Sequence, residues 1–262
     1  MIRIEAPAKI NLCLRVGGRR SDGFHRVVTV FVALGLADVL EIEPADATEV
    51  DGFEADTLVR GTLDLLGETR RVRIEKRIPV AAGLGGGSSD AAAVLRALGV
   101  GREPNELYRM ARELGSDVPF FLSGLEVAMG TGRGDRLAPL LELPRSFGVV
   151  LVPDPVGLST AEVYARCTPN PYFAAEEGAL VRGVHTARDA DGIARLVAND
   201  LEAAALELRP ELRQRLDELR GAGALAAAVS GSGPTVFGIF RDLGDAERVA
   251  AGIPGALATG PR

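Results

Sequence analysis

Residues 79–92 read PVAAGLGGGSSDAA, and no other stretch restricts the fold of this chain as strongly. An arginine-rich apolar run, Val72 to Ile78, stops at Pro79. Glycines follow at Gly83, Gly85, Gly86 and Gly87. Ser88 and Ser89, both good helix N-cap types, then precede an apolar helical run from Ala91 to Leu98. The expected order is strand, glycine loop, helix. Backbone without Cβ atoms lets N–H groups come close to an anion, and a helix start adds unpaired donors and partial positive charge. One such charge interaction contributes only ~0.3–1 kcal/mol at a surface, but several together suit a triphosphate. The spacing excludes two common alternatives. GxxxxGK[ST] is absent, and GxGxxG fails because Ser88 stands where the third glycine belongs.

The basic residues carry the next signal. There are 30, and only Lys9 and Lys76 are lysines, which leaves 28 arginines. Where arginine is the ordinary surface cation, a lysine needs a reason: it is a compact point charge where arginine is a bulky planar fork. Lys9 lies in the apolar strand pattern of residues 7–14, PAKINLCL, where a surface charge is unexpected, and reads as functional. Lys76, among Arg71, Arg73 and Arg77, alternates as a solvated strand face does and reads as structural. The net charge of −6 argues against a nucleic-acid surface. No apolar run approaches a membrane span, and MIRIEAPAKI lacks the long apolar centre of a signal peptide. Cys13 and Cys167 have no metal spacing and read as small apolar residues in a reducing, cytoplasmic compartment. The expected state is a monomer or homodimer.

Along the chain, residues 2–16 read as one or two strands with a break near Pro7, 25–34 as a second, and 38–43 as a half-buried strand. Helices are expected at 55–66, 88–98 and 104–114, and strands at 125–129 and 147–152. Pro153 and Pro155 then break the chain. The domain junction is placed there, giving domains 1–152 and 153–262. Further helices are expected at 159–166, 176–188, 191–206 and 210–220, and strands at 225–230 and 235–240. This alternation predicts a two-layer α/β or α+β arrangement.

Three segments resemble the GHMP small-molecule kinases. Residues 79–92 are similar to the family's phosphate-binding motif PxxxGLGxSSxxA, APAKINLCLRV (6–16) to its N-terminal motif, and VSGSGPTVF (229–237) to its C-terminal glycine motif. RRSDGFHRVVTVF (19–31), LGSDVPFFL (114–122) and NDLE (199–202) narrow the likeness to members whose acceptor alcohol carries a cytidine diphosphate group. The resemblance covers most of the chain, least at 44–70 and 168–198. It implies an α+β, two-domain GHMP kinase fold. The N-terminal ATP-binding domain resembles ribosomal protein S5 domain 2, the C-terminal domain is ferredoxin-like, and the site lies in the cleft between them. It also implies ATP, with Mg2+ accompanying the nucleotide and no metal held by protein side chains. Two other readings are a member of the same family acting on homoserine, mevalonate or a sugar, and a nucleotide-binding protein without turnover.

Phosphoryl transfer asks a protein for alignment, neutralised charge and an oriented hydroxyl. The resemblance assigns ATP binding to Pro79, Val80, Ala81, Ala82, Gly83, Leu84, Gly85, Gly86, Gly87, Ser88 and Ser89. The two serines serve equally as helix caps. Asp90 is an odd neighbour for a triphosphate and receives no role. Asp117, read locally, caps a short helix with Pro119 in its first turn. The resemblance makes it the catalytic carboxylate, with Lys9 beside it. Phe24 and His25 read locally as packing at a strand start; by resemblance they stack on and bond the cytosine ring, with Tyr172 or Phe173 on its other face. Asn11 touches substrate or orders Lys9. A tight connection alone explains the turn Ser230, Gly231, Ser232, Gly233, which by resemblance also faces the cleft. Asn199 and Asp200 read mainly as a helix start.

Overall fold

The computed structural model describes residues 1–52, 57–140 and 143–262, and it contains two sheets. The first is built on two very long strands, β1 (Ile2–Arg19) and β2 (His25–Pro44), paired antiparallel. The break expected near Pro7 is a register shift between Pro7 and Lys9 inside one continuous strand. Proline has no N–H for the ladder, and a bulge absorbs that loss. Likewise the two strands expected at 25–34 and 38–43 are one. Strands β3 (Glu49–Asp51) and β4 (Arg70–Glu75) extend this sheet on one side, and β5 (Val127–Gly132) and β6 (Arg136–Pro139) attach through β2.

Helices α1 (Thr57–Leu66), α2 (Gly86–Leu98), α3 (Pro104–Leu114) and α4 (Val118–Ser123) belong to this half. Their Leu63, Leu95, Ala111 and Phe120 pack with Phe31, Leu40 and Ile74 of the sheet. Residues 55 and 56 of the expected 55–66 helix lie outside the described residues.

The second sheet runs β11 (Leu257–Thr259), β7 (Gly148–Val152), β10 (Val236–Phe240), β9 (Ala226–Val229), all antiparallel neighbours. Strand β7 pairs with β10 and β11, so it belongs to this sheet, whereas a junction after residue 152 would leave it with the first half. The remaining helices are α5 (Thr160–Arg166), α6 (Phe173–Thr186), α7 (Ala190–Ala194), α8 (Glu202–Leu208), α9 (Leu212–Gly221) and α10 (Leu243–Ala250). The helix expected over 191–206 is two helices separated by a short strand, β8 (Ala198–Asn199), which pairs parallel to β1.

The two sheets share one core. Ile10, Leu12, Val30 and Val32 of the first pack with Val149, Leu151, Phe237 and Ile239 of the second, all at most 2 % exposed. Full burial of each such side chain contributes ~1.5–3 kcal/mol. Strand β1 is therefore covered on both faces, and Ala8 to Leu14 is a single buried run. Lys9 and Asn11 are the polar members of that run, 3 % and 5 % exposed.

Candidate active site

The bulge at Pro7/Lys9 frees the Lys9 backbone N–H from the β1–β2 ladder; it donates instead to Leu84 O in the glycine loop at 2.9 Å. The ammonium follows it inward. Lys9 Nζ donates to Asn11 Oδ1 at 2.7 Å and to Gly83 O at 3.1 Å, and stands 3.2 Å from Asp117 Oδ2. Asn11 is fixed in turn, donating through Nδ2 to Thr29 Oγ1 at 2.8 Å, while that hydroxyl donates to Cys13 O at 2.7 Å. A buried ammonium with three oxygen partners satisfies the rule that buried charge must be paired.

Asp117 occupies the N-cap position of α4, with Pro119 in the first turn as read locally, but its side chain makes no capping bond. Its carboxylate faces Lys9 instead, with the side chain 31 % exposed. A group that is half open to solvent on one side and ion-paired on the other can meet an incoming hydroxyl.

The glycine loop turns sharply at Gly83 (φ 76) and Gly85 (φ 75). A Cβ on Gly83 would stand 2.6 Å from Ser230 O, and one on Gly85 would stand 3.0 Å from the Phe121 ring and 3.1 Å from Lys9 Cε. Glycine is required here by both conformation and space. Helix α2 begins at Gly86, two residues earlier than expected, with Gly85 as its N-cap and no side-chain cap. Ser88 and Ser89 therefore lie within its first turn and do not cap it. Ser89 Oγ is buried and has no hydrogen-bond partner among the described residues. The amides of a helix first turn are the kind of donor that an anion such as a phosphate accepts from.

Beneath the loop lies a feature the sequence reading got wrong. Lys76 is not on a solvated face. Its Nζ stands 2.5 Å from Asp38 Oδ2 and 2.8 Å from Asp90 Oδ2, and both aspartate side chains are fully buried. Burial works against this ammonium, but the charge of Asp90 and the hydrogen bonds to both carboxylates outweigh it and hold its pKa above the usual lysine value. Asp90 thus has a partner and presents no bare charge to a nucleotide. A Cβ on Gly86 would stand 3.3 Å from Lys76 Nζ, so the triad braces the loop from behind.

The turn 230–233 closes the site from the second sheet. Ser230 Oγ donates to Gly83 O at 3.3 Å, and Thr235 N donates to Ala82 O at 3.3 Å. Asn199 is more than a helix start: its Nδ2 donates to Val229 O and Gly231 O, both at 2.8 Å. Asp200 accepts from Arg15 Nη1 and Val16 N, at 2.8 and 2.9 Å.

These elements surround a cavity of about 670 Å³. It brings together Lys9, Asn11, Phe24, His25, Gly83, Gly85, Asp117, Gly231 and Ser232. Pro79, Val80, Ala81, Ala82, Leu84, Gly86, Gly87, Ser88, Ser89, Ser230 and Gly233 are not on its wall. His25 Nδ1 meets Gly17 O at 3.0 Å; a carbonyl only accepts, so this nitrogen carries the proton. Nε2 is then an acceptor, buried and without a partner among the described residues.

Tyr172 is misplaced by the sequence reading. It is 73 % exposed and absent from the cavity wall, and Phe173 packs instead on the shared core and against Gly17. The wall holds Tyr164 instead, its ring 5.7 Å from His25. Burial first, then the nearby Asp117 charge, raises the Tyr164 phenol pKa. The serine that caps α5, Ser159, was the available signal: it starts a helix that turns Val163 into the core. Arg133 and Arg19, also on the wall, carried no local signal among so many arginines.

Comparison with known proteins shows the family. The chain matches the GHMP kinases N terminal domain over residues 57–125 and the GHMP kinases C terminal region over 178–258. The chain belongs to the GHMP kinase family. It is 44 % identical to a 4-diphosphocytidyl-2-C-methyl-D-erythritol kinase from Pelotomaculum thermopropionicum, over 94 % of this chain and 91 % of that one. A solved structure titled 4-(cytidine 5'-diphospho)-2C-methyl-D-erythritol kinase is 36 % identical, covers both chains fully and superposes with a TM-score of 0.78. Homoserine kinase from Cytophaga hutchinsonii superposes with a TM-score of 0.70 over all of this chain and 94 % of its own, but at 18 % identity it shows the fold alone. This GHMP kinase is thus a two-domain α+β, ATP-dependent phosphotransferase. No described helix is long and apolar enough to cross a membrane.

Proposed function

We propose that this GHMP kinase transfers the γ-phosphoryl group of ATP to the 2-hydroxyl of 4-diphosphocytidyl-2-C-methyl-D-erythritol, a step of non-mevalonate isoprenoid synthesis. The observation that carries this reading is the Lys9–Asp117 pair at 3.2 Å, set between the glycine loop and the Phe24–His25 wall. The relatives' names supply the acceptor.

Asp117 accepts the proton of the acceptor hydroxyl. That oxygen forms a bond to the γ-phosphorus, the bond from γ-phosphorus to the bridging oxygen breaks, and the electron pair leaves on ADP. Lys9 faces the developing alkoxide and neutralises it; such a preorganised charge is effective because it needs no reorganisation during the reaction. The glycine loop and the α2 first turn receive the phosphates. Mg2+ bound with the nucleotide would supply neutralising charge to its phosphates beside the glycine loop. Phe24 stacks on the cytosine, and His25 Nε2 accepts from its exocyclic amine. The chain works in the cytoplasm as a monomer or homodimer.

The test is turnover by purified protein with ATP, Mg2+ and the cytidine diphosphate acceptor, against homoserine and mevalonate. The expected result is ADP release with the first acceptor alone. Equal turnover of homoserine or mevalonate overturns the acceptor assignment, and no turnover with any of the three overturns the reading.

A further inference from the structure

The turn joining β5 to β6 brings a cation into the same cavity. Arg133 lines it beside Phe24, with its guanidinium carbon 4.8 Å from the centroid of the Phe24 ring, inside cation–π range. The arginine is anchored from behind. Its backbone N–H donates to Asp135 Oδ1 at 3.2 Å, and its Nε and Nη2 donate to Oδ2 at 3.4 and 3.3 Å. From α3, Arg112 Nε donates to the same oxygen at 2.7 Å, and Tyr108 donates to the Asp135 carbonyl. Asp135 is 1 % exposed. Burial opposes its charge, but bonds from the Arg133 amide and Arg112 outweigh it and hold the carboxyl below its usual pKa. Arg133 is thus fixed to a buried acid, which is fixed to a helix.

Phe24 needs such support. It is 49 % exposed on the turn before β2, and it has no hydroxyl with which to hydrogen-bond itself in place. Stacking a base on a freely rotating ring costs about 0.5–1.5 kcal/mol in immobilising the side chain. A guanidinium already seated on one face removes most of that cost.

We propose that Arg133 is a positioning residue for the acceptor, holding Phe24 by one face so that the other receives the pyrimidine base. The inference rests on the cytidine diphosphate reading above and adds the residue that makes its aromatic platform rigid.

A double-mutant cycle with Arg133→Met and Phe24→Leu tests it, reading KM for the acceptor, KM for ATP and kcat, with the affinity for CDP measured by calorimetry. Arg133→Met is expected to raise the acceptor KM by ~2- to 12-fold, the cost of immobilising the Phe24 side chain on binding. The KM for ATP and kcat should stay within about threefold, because the α2 loop and the Lys9–Asp117 pair are untouched. In the Phe24→Leu background the same change should matter by less than about twofold, since no ring remains to hold. Penalties that multiply in the double variant overturn the inference, as does an equal rise in both KM values. If Arg133→Met does not fold, Arg133→Gln, which also removes the cation, takes its place in the cycle with the same expectation of coupling. Wild-type protein that neither phosphorylates the acceptor nor binds CDP refutes the underlying reading. Wild-type protein that does both, with multiplying penalties, refutes Arg133 alone.

Discussion

Replacing Lys76 by Met should unfold this protein far more easily than a change at any ordinary surface cation. The side chains of Asp38 and Asp90 are fully buried, with Lys76 Nζ at 2.5 and 2.8 Å. Breaking a buried pair by removing one partner costs ~3–5 kcal/mol, because the other charge is left in low dielectric. The lower end applies here. Asp38 Oδ1 keeps the backbone N–H donors of Arg77 at 2.6 Å and Ile78 at 2.8 Å. At ~3 kcal/mol, and ~2–4 °C per kcal/mol for a chain of this size, Tm should fall by roughly 6–12 °C. Lys76→Met with Asp90→Asn should recover more than half of that, since the remaining acid retains its amides. Lys76→Arg should substitute poorly, because a bulky planar fork must replace a compact ammonium that stands between two fully buried carboxylates. The sign with pH follows from the raised folded-state pKa. The stabilisation is complete below the ordinary lysine value of 10.5 and is lost as pH rises through the higher folded value. Calorimetry or far-UV melting of the four proteins measures this. A Tm within about 2 °C of wild type for Lys76→Met, or no recovery in the double variant, refutes the reasoning.

Three other outcomes are expected. Asp117→Asn or Lys9→Ala lowers kcat by at least ~10²-fold, the loss of one preorganised charge, while near-normal turnover of either purified, folded variant removes that residue from the chemistry. Gly83→Ala destabilises by ~1–3 kcal/mol and lowers turnover, because its Cβ would meet Ser230 O at 2.6 Å and Gly233 O at 2.8 Å with φ at 76; urea denaturation with unchanged midpoint contradicts it. Native protein at pH 8 resists iodoacetamide at Cys13, whose thiol burial pushes up to about 11, and at Cys167, also raised mainly by burial. Mass spectrometry should find both alkylated only after unfolding.

The parts of the site that were legible in the sequence are those where one residue type contradicts its neighbours. Lys9 stood out as a charge in an apolar strand and as a lysine among arginines, and both features have one cause, a pocket that admits a point charge. The glycine loop and the 230–233 turn were legible because positive φ and close backbone approach leave glycine little competition. What failed was anything decided by sequence-distant partners. Lys76 alternates with its neighbours as an exposed residue does; its burial is set by Asp38 on β2 and Asp90 on α2. Tyr172 and Tyr164 are both aromatic residues near Pro-rich chain, and only the docking of α5 decides which faces the cavity. The helix read over 191–206 was broken by β8, because pairing with Cys13 and Leu14 of β1 outweighed local helix preference.

That short strand explains why the proposed catalytic groups can be rigid although two sheets contribute to the site. Strand β8 comes from the second half of the chain yet joins the first sheet, and its Asn199 holds the carbonyls of Val229 and Gly231. Ser230 and Thr235 bond the glycine loop at Gly83 and Ala82, and Lys9 bonds it through both its backbone and its ammonium. A hinge opening between the sheets would have to break these bonds together, at ~0.5–1.5 kcal/mol each, and also expose the shared Ile10–Leu151 core. Such an opening is costly enough that the loop, the lysine and the carboxylate are in place before any nucleotide arrives. Catalysis by preorganised charge requires that condition, because an ammonium and a carboxylate that had to be assembled in each cycle would use binding energy on their own placement instead of on the transition state.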